Sequence, residues 1–115
     1  MDAAGGSKPY RCGSISTYKA YKYGRFAGRI YNPYKNGTVV SLFTYWMGAT
    51  ADPKDWSEID IELVPSITHQ NGSQGPFHVN LIYEGHQMSG WPIGHGDATT
   101  VGWHNYEFEW TPDYI

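Results

Sequence analysis

The sequence predicts an all-β protein, an antiparallel sandwich of two sheets, and three observations lead to this prediction. No long stretch repeats its apolar side chains with the 3.6-residue period of a helix. Short alternating or β-branched segments are instead separated by Gly, Pro and Asn. Aromatic residues make up 17% of the 115 residues, as do charged residues. Tyr and Trp are therefore expected to supply much of the buried apolar surface.

Three strands are predicted in the first half of the chain. Segment 13–20 contains Ile and Tyr among small polar residues, and segment 22–31 alternates Tyr, Arg and Ala with Phe, Gly and Ile. Such alternation is typical of a strand with one buried face. The Asn36-Gly37 pair is a strong turn signal. The β-branched and aromatic run that follows, 38–47, predicts a strand buried on both faces.

Three more strands are predicted in the second half. Segment 56–64 follows a loop at 48–55, segment 77–84 alternates, and segment 103–110 is rich in aromatic residues. Turn residues at these short intervals favour a sandwich over a mixed α/β fold. The remaining polar or Gly- and Pro-rich segments are predicted loops, at 65–76 and 85–100.

The composition argues against a nucleic-acid partner, a membrane partner and an internal disulfide. Eight Lys and Arg stand against eleven Asp and Glu, so we expect no nucleic-acid partner. No apolar run approaches the length of a membrane span, so we expect no membrane partner. Cys12 is the single cysteine, which leaves no internal disulfide and no cysteine metal cluster. In a secreted protein a lone cysteine suggests a partner outside the chain; otherwise we expect Cys12 to be a small buried thiol.

The most informative segment is WSEIDIEL, residues 56–63. Successive side chains of a strand point to opposite faces, so Glu58, Asp60 and Glu62 share one face, about 6–7 Å apart. The Ile and Leu residues between them share the other face and can anchor the strand in a core. No Lys or Arg within the segment relieves the repulsion between the acids, which would split their pKa values.

Three interpretations of this acidic row remain open. A retaining glycosidase needs two carboxyl groups about 5–5.5 Å apart, and Glu58 and Glu62 can lean together across the shorter Asp60. The row could also be a hydrated strand face, although Asp is depleted in strands. A hard-cation site completed by His69 or His78 is the third, although no ligand spacing supports it. We favour the glycosidase and expect no cofactor.

Four blocks of the sequence resemble glycoside hydrolase family 16. WSEIDIEL resembles the catalytic signature of that family, Glu-Ile-Asp-Ile-Glu followed by an aromatic or aliphatic residue. Strict alternation of the acids resembles the regular-strand subgroup, which contains lichenases, xyloglucan endotransglycosylases and fungal cell-wall transglycosylases. The resemblance implies a jelly-roll sandwich of the concanavalin-like type. The other blocks resemble bacterial lichenases in the same order, at residues 12–26, 35–46 and 102–115.

The resemblance also implies a function and a site. It implies a retaining endo-β-glucanase on a β-1,3-1,4-glucan type of polysaccharide, with Glu58 as nucleophile, Asp60 as assisting carboxylate and Glu62 as acid/base. A transglycosylase of cell-wall polysaccharide is the alternative, as is a non-catalytic carbohydrate-binding sandwich that would use the aromatic residues alone. The residues expected to bind substrate are Trp56, Asn80, Tyr45, His104, Trp46 and Trp103.

The chain departs from the family in ways that carry further expectations. Phe26 and Ala27 stand where the family usually carries a Glu, and Ser57 replaces a common acidic residue. Residues 1–9 are rich in Gly, Ser and Pro, so we expect a flexible segment there. Family members are longer, so we expect a partial catalytic domain at 10–115. A complementary fragment or self-association would then cover the open sheet edges. The full-length form is expected to be secreted or at the cell surface, although this chain carries no signal peptide.

Overall fold

The computed structural model describes residues 10–33, 35–64, 77–91 and 101–115. Within these ranges the strands pair only antiparallel, in a two-stranded sheet β1–β6 and a four-stranded sheet β2–β3–β4–β5. The all-β, antiparallel prediction is confirmed. No helix in the described part is long and apolar enough to cross a membrane. The elements are β1 (Gly24–Asn32), β2 (Val40–Trp46), a 3-10 helix (Pro53–Asp55), β3 (Ser57–Leu63), β4 (Phe77–Tyr83), β5 (His86–Trp91) and β6 (Gly102–Trp110).

The two sheets pack against each other through their apolar faces. Ile61 and Leu63 of β3 and Tyr106 of β6 form the centre of this core. Ile30 of β1 and Leu42 of β2 are partly buried and pack against it. Each Å² of apolar surface removed from water stabilises the fold by about 25 cal/mol. Burial of this face fixes β3 between β2 and β4 in the larger sheet and leaves its opposite face open.

Strand β2 is buried on one face, not on both as predicted. Val40 and Leu42 are partly buried toward the core. Phe43 and Tyr45 are 47% and 52% exposed. Within the described sheet β2 pairs only with β3. Its aromatic run therefore supplies apolar rings to the open side of the sheet, the side that carries the acidic row.

The prediction of a strand at 13–20 is wrong. This segment forms no ladder, and Ile15 and Tyr18 are fully exposed. A strand needs a neighbour to satisfy its backbone groups, and none of the described strands lies beside it. Cys12 lies just before this segment and is exposed, not buried as predicted. The segment 1–9 lies outside the described residues.

Strand β5 occupies part of the loop predicted at 85–100. It pairs with β4 through a tight turn at Glu84 and Gly85, whose φ angles are 51° and 73°. Positive φ at both positions is the geometry of a two-residue hairpin turn. The sequence obscured this turn because Glu rarely takes its first position. The rest of that predicted loop, from residue 92 to 100, and the loop predicted at 65–76 lie outside the described residues.

The Asn36-Gly37 turn is confirmed. The backbone N–H of Thr38 donates to the carbonyl of Lys35 at 3.1 Å, and Gly37 has a φ of 81°. Glycine takes this left-handed conformation at no steric cost. The turn leads the chain from β1, in the smaller sheet, into β2, in the larger one.

Candidate active site

The three acids lie in one row on the open face of β3, as predicted. Ile59, Ile61 and Leu63 are buried on the core side. Glu58 and Glu62 are partly exposed on the other side, while Asp60 between them is only 5% exposed. The row therefore consists of two accessible carboxyl groups that flank an enclosed one.

Each acid has its own pair of neighbours across the strand ladders. Residues directly opposite each other in an antiparallel pair lie on the same face. The surroundings change along the row, from apolar at Glu58 to polar at Glu62. The three β2–β3–β4 triplets are Tyr45–Glu58–Ile82, Phe43–Asp60–Asn80 and Ser41–Glu62–His78.

Asp60 is the member of the row whose charge is least favoured. Burial, the negative charge of Glu58 and a hydrogen bond with Glu58 together raise the pKa of Asp60 from 3.8 to about 7. Asn80 opposes this effect by donating from Nδ2 to Asp60 Oδ2 at 3.0 Å. Near neutral pH, a protonated Asp60 can donate a hydrogen bond to Glu58, which lowers the repulsion along the row.

Glu58 is held by the side chain of Trp56, two residues before it in the sequence. The indole N–H of Trp56 donates to Glu58 Oε2 at 2.8 Å. Hydrogen bonds to an ionised acceptor are about twice as strong as those between neutral groups. The contact therefore orients Glu58 along the open face.

Glu62 is held by a histidine of the next strand. His78 Nδ1 lies 2.9 Å from Glu62 Oε2, with the two side chains 21% and 33% exposed. The Nδ1–H of His78 donates to the carboxylate when the imidazole is protonated or is the Nδ1–H tautomer, and a protonated Glu62 can donate to Nδ1 of the other tautomer. Each arrangement fixes the direction of the Glu62 side chain. Glu62 can therefore keep this partner whether or not it carries a proton.

Sequence reasoning considered His78 only as a possible cation ligand and missed this contact. The pairing depends on the register between β3 and β4, which places Glu62 opposite His78. No local sequence signal specifies that register. Among the described residues no group of three or more His, Cys, Asp or Glu side chains could hold a metal ion. His69 lies outside the described residues.

Three of the predicted substrate-binding residues share the acidic face. Trp56 and Asn80 contact the acids directly. Tyr45 lies opposite Glu58, is 52% exposed, and donates from its hydroxyl to Met47 Sδ at 3.4 Å. Sugar rings stack on such exposed aromatic faces, so this side of the sheet combines acids with a stacking surface.

The other three predicted binding residues lie away from the row. Trp46 is next to Tyr45 and so belongs to the opposite face of β2. Trp103 and His104 belong to β6, in the other sheet. Trp103 is 59% exposed and contacts Tyr31 at 5.5 Å between ring centroids, while His104 Nε2 lies 2.9 Å from the carbonyl of Val101. The described fold does not bring these three residues to the acids.

Comparison with known proteins gives one family. The family model described as "Glycosyl hydrolases family 16" matches residues 4–115. A β-glucanase of Acetivibrio thermocellus is 33% identical over 118 residues, which cover 96% of this chain and 31% of that protein. A β-glucanase of Paenibacillus macerans is 31% identical over 106 residues, which cover 92% of this chain and 41% of that protein.

A β-glucanase of Fibrobacter succinogenes is 29% identical over 113 residues, which cover 95% of this chain and 31% of that protein. The chain thus spans between 31% and 41% of the length of these three curated relatives. No solved structure matches the chain.

Proposed function

Because this chain belongs to family 16 of the glycosyl hydrolases, we propose that the protein cleaves internal bonds of a β-glucan of the β-1,3-1,4 type, with retention of anomeric configuration. The observation that carries the proposal is the acidic row, in which each carboxyl group has a different hydrogen-bond partner outside the row. Glu58 accepts from Trp56, Asp60 accepts from Asn80, and Glu62 is paired with a histidine. The relatives named β-glucanase support a β-glucan as the substrate.

The proposed reaction has two displacement steps. In the first, the carboxylate of Glu58 attacks the anomeric carbon while the carboxyl group of Glu62 gives its proton to the glycosidic oxygen. The bond to the leaving sugar breaks and a glycosyl ester on Glu58 forms. In the second step, Glu62 takes a proton from water, the water oxygen attacks the anomeric carbon, and Glu58 leaves as a carboxylate.

The surroundings of the two glutamates suit these different roles. A nucleophile must be ionised, and Glu58 accepts a hydrogen bond from an N–H that cannot give up its proton. An acid/base must gain and lose a proton, and Glu62 has a titratable partner in His78. Retention also requires the two carboxyl groups to approach to about 5–5.5 Å, so both side chains must lean over Asp60.

The openness of the face suits cleavage within a long polymer. Phe43 and Tyr45 are about half exposed beside the acids. A polysaccharide chain that crosses the sheet can therefore stack on aromatic rings while its glycosidic oxygen reaches Glu62. One concavity of about 470 Å³ lies elsewhere, near Cys12 and Pro33, and none of the three acids lines it.

Two other activities are compatible with parts of this site. A transglycosylase of cell-wall polysaccharide would share the first step and pass the sugar to a hydroxyl group instead of water. A non-catalytic carbohydrate-binding sandwich would use Phe43 and Tyr45 but would not require Glu58 or Glu62. The separate partner of each acid favours catalysis over binding alone.

We also propose that the full-length protein acts outside the cell or on its surface, because a β-glucan polymer is too large to enter. Asn36-Gly37-Thr38 is a glycosylation sequon on an exposed turn, in keeping with this location. A full-length gene without any export signal would count against the proposal.

The roles of the two glutamates can be tested separately with an activated aryl β-glucoside oligomer and added azide. With Glu58→Ala, azide should displace the aryl oxide directly and give the α-glycosyl azide. With Glu62→Ala, azide should attack the glycosyl ester and give the β-glycosyl azide. Without azide, loss of either carboxyl group should lower turnover by about 10²–10⁴-fold.

Release of reducing ends from barley β-glucan tests the substrate, and chromatography of the products separates hydrolysis from transglycosylation. The matched control is Glu107→Ala, because Glu107 is an exposed acid of β6 that pairs with Arg25. The control should keep wild-type activity. Turnover within tenfold of wild type in both Glu58→Ala and Glu62→Ala would contradict the proposed mechanism.

A further inference from the structure

The backbone of Trp56 is fixed on its N-terminal side by a short 3-10 helix. Asp52 caps this helix, since its side chain accepts from the backbone N–H of Lys54 at 2.9 Å. The backbone N–H of Trp56 then donates to the carbonyl of Pro53 at 3.1 Å. Trp56 therefore enters β3 from a turn whose geometry is closed by its own hydrogen bonds.

The turn between β4 and β5 fixes Trp56 from the other side. The backbone N–H of Gly85 donates to the carbonyl of Trp56 at 3.0 Å. Gly85 has a φ of 73°, and a Cβ atom at this position would collide with the carbonyl oxygen of Pro53. Only glycine allows this turn to approach the 3-10 helix so closely.

These contacts connect the turn to the acidic row. Both backbone groups of Trp56 are bonded, and its indole N–H is bonded to Glu58. A displacement of the backbone at Trp56 would move the donor away from Glu58. We infer that Gly85 is a positioning residue that acts through Trp56 on the direction of Glu58. The inference rests on the proposed function of Glu58 as the nucleophile.

Gly37 offers a matched control within the same chain. Its φ is 81°, close to that of Gly85, but a Cβ atom there would meet nothing within 4 Å. An Ala at either position bears the same unfavourable backbone conformation. Only the Ala at position 85 also collides with the carbonyl oxygen of Pro53. The difference in activity between the two variants therefore reports the effect of this collision.

The kinetic test compares Gly85→Ala with Gly37→Ala on the activated substrate. Gly85→Ala should lower kcat at least tenfold with KM within threefold of wild type, because a misdirected Glu58 affects the chemical step more than binding. Gly37→Ala should leave both constants within twofold of wild type. Equal losses of kcat in the two variants would overturn the inference.

A spectroscopic test does not depend on activity. The indole N–H signal of Trp56 in a ¹H–¹⁵N spectrum, assigned with Trp56→Phe, should move in Glu58→Ala and in Gly85→Ala but not in Gly37→Ala. An unchanged signal in Gly85→Ala would overturn the inference even where the protein is active. If the wild type does not turn over β-glucan, the proposed function fails while this signal still tests the coupling.

A third measurement needs no variant and covers the case in which Gly85→Ala does not fold. The amide proton of Gly85 is bonded to Trp56, so hydrogen exchange at Gly85 should be slow in the wild-type protein. Exchange at the rate of a solvent-exposed turn amide would show that the turn does not hold Trp56, and would overturn the inference.

Discussion

His78 Nδ1 lies 2.9 Å from Glu62 Oε2, across the ladder between β4 and β3. The histidine is the one described side chain that the structure records hydrogen-bonded to Glu62. Since the proposed acid/base must change its protonation state twice in each cycle, the partner at this distance bears directly on the reaction.

Replacement of His78 should therefore lower activity without removing it. His78→Ala leaves Glu62 without that contact, and a hydrogen bond to a charged group is worth about 1.5–3 kcal/mol, or roughly 10–150-fold in kcat/KM. His78→Gln keeps a hydrogen-bonding group and should recover part of the loss. His86→Ala is the control, since His86 is exposed at the other end of this sheet. A His78→Ala enzyme within threefold of wild type would contradict the role.

Asp60 should make the folded protein less stable as the pH rises. Its pKa is raised in the folded state from 3.8 to about 7. The folded chain therefore holds a proton that the unfolded chain releases, and the stabilisation is complete below about pH 4 and lost as pH rises through 7. At about 1.4 kcal/mol per pKa unit, the loss is at most about 4 kcal/mol.

Asp60→Asn resembles the protonated acid and should abolish this loss. Urea unfolding from pH 4 to pH 8 would measure the free energy of unfolding of both proteins. Asp113→Asn, at an exposed position, provides the control and should follow the wild type. A wild-type protein whose stability relative to Asp60→Asn rises between pH 4 and pH 7 would show the opposite sign and refute the argument.

Asn80→Ala should raise the pKa of Asp60 further. The amide of Asn80 donates to Asp60 Oδ2 and favours the ionised form, so its removal leaves burial and the charge of Glu58 less opposed. The chemical shift of the Asp60 carboxyl carbon, followed against pH, measures this change directly. Asn105 is exposed on β6, so Asn105→Ala should leave the pKa of Asp60 unchanged. A lower pKa of Asp60 in Asn80→Ala would be inconsistent with the hydrogen bond from Asn80 to Asp60.

The isolated chain is expected to self-associate. Within the described sheet β2 pairs on one side only, and Phe43 and Tyr45 are exposed on its open face. Free strand edges and exposed rings recruit other chains. Sedimentation velocity over a range of concentrations should show oligomers or aggregation. A monomer with one cooperative thermal transition above about 50 °C, typical of intact small domains, would contradict this expectation.

The sequence by itself determined the class of fold and the composition of the acidic row. Successive side chains of a strand point to opposite faces. WSEIDIEL therefore places its acids on one face and its Ile and Leu residues on the other, without reference to any other segment. The same local logic predicted the Asn36-Gly37 turn. It failed at 13–20, where a strand-like composition has no neighbouring strand to pair with.

Only the tertiary structure decided what surrounds the acids. Glu62 meets His78 and Asp60 meets Asn80 at separations of 16 and 20 residues, through a register that no local pattern specifies. Trp103 and His104 lie in the other sheet because β6 pairs with β1. A strand's faces follow from its own backbone, but its neighbours depend on how distant segments bury their apolar sides together, and that balance belongs to the whole fold.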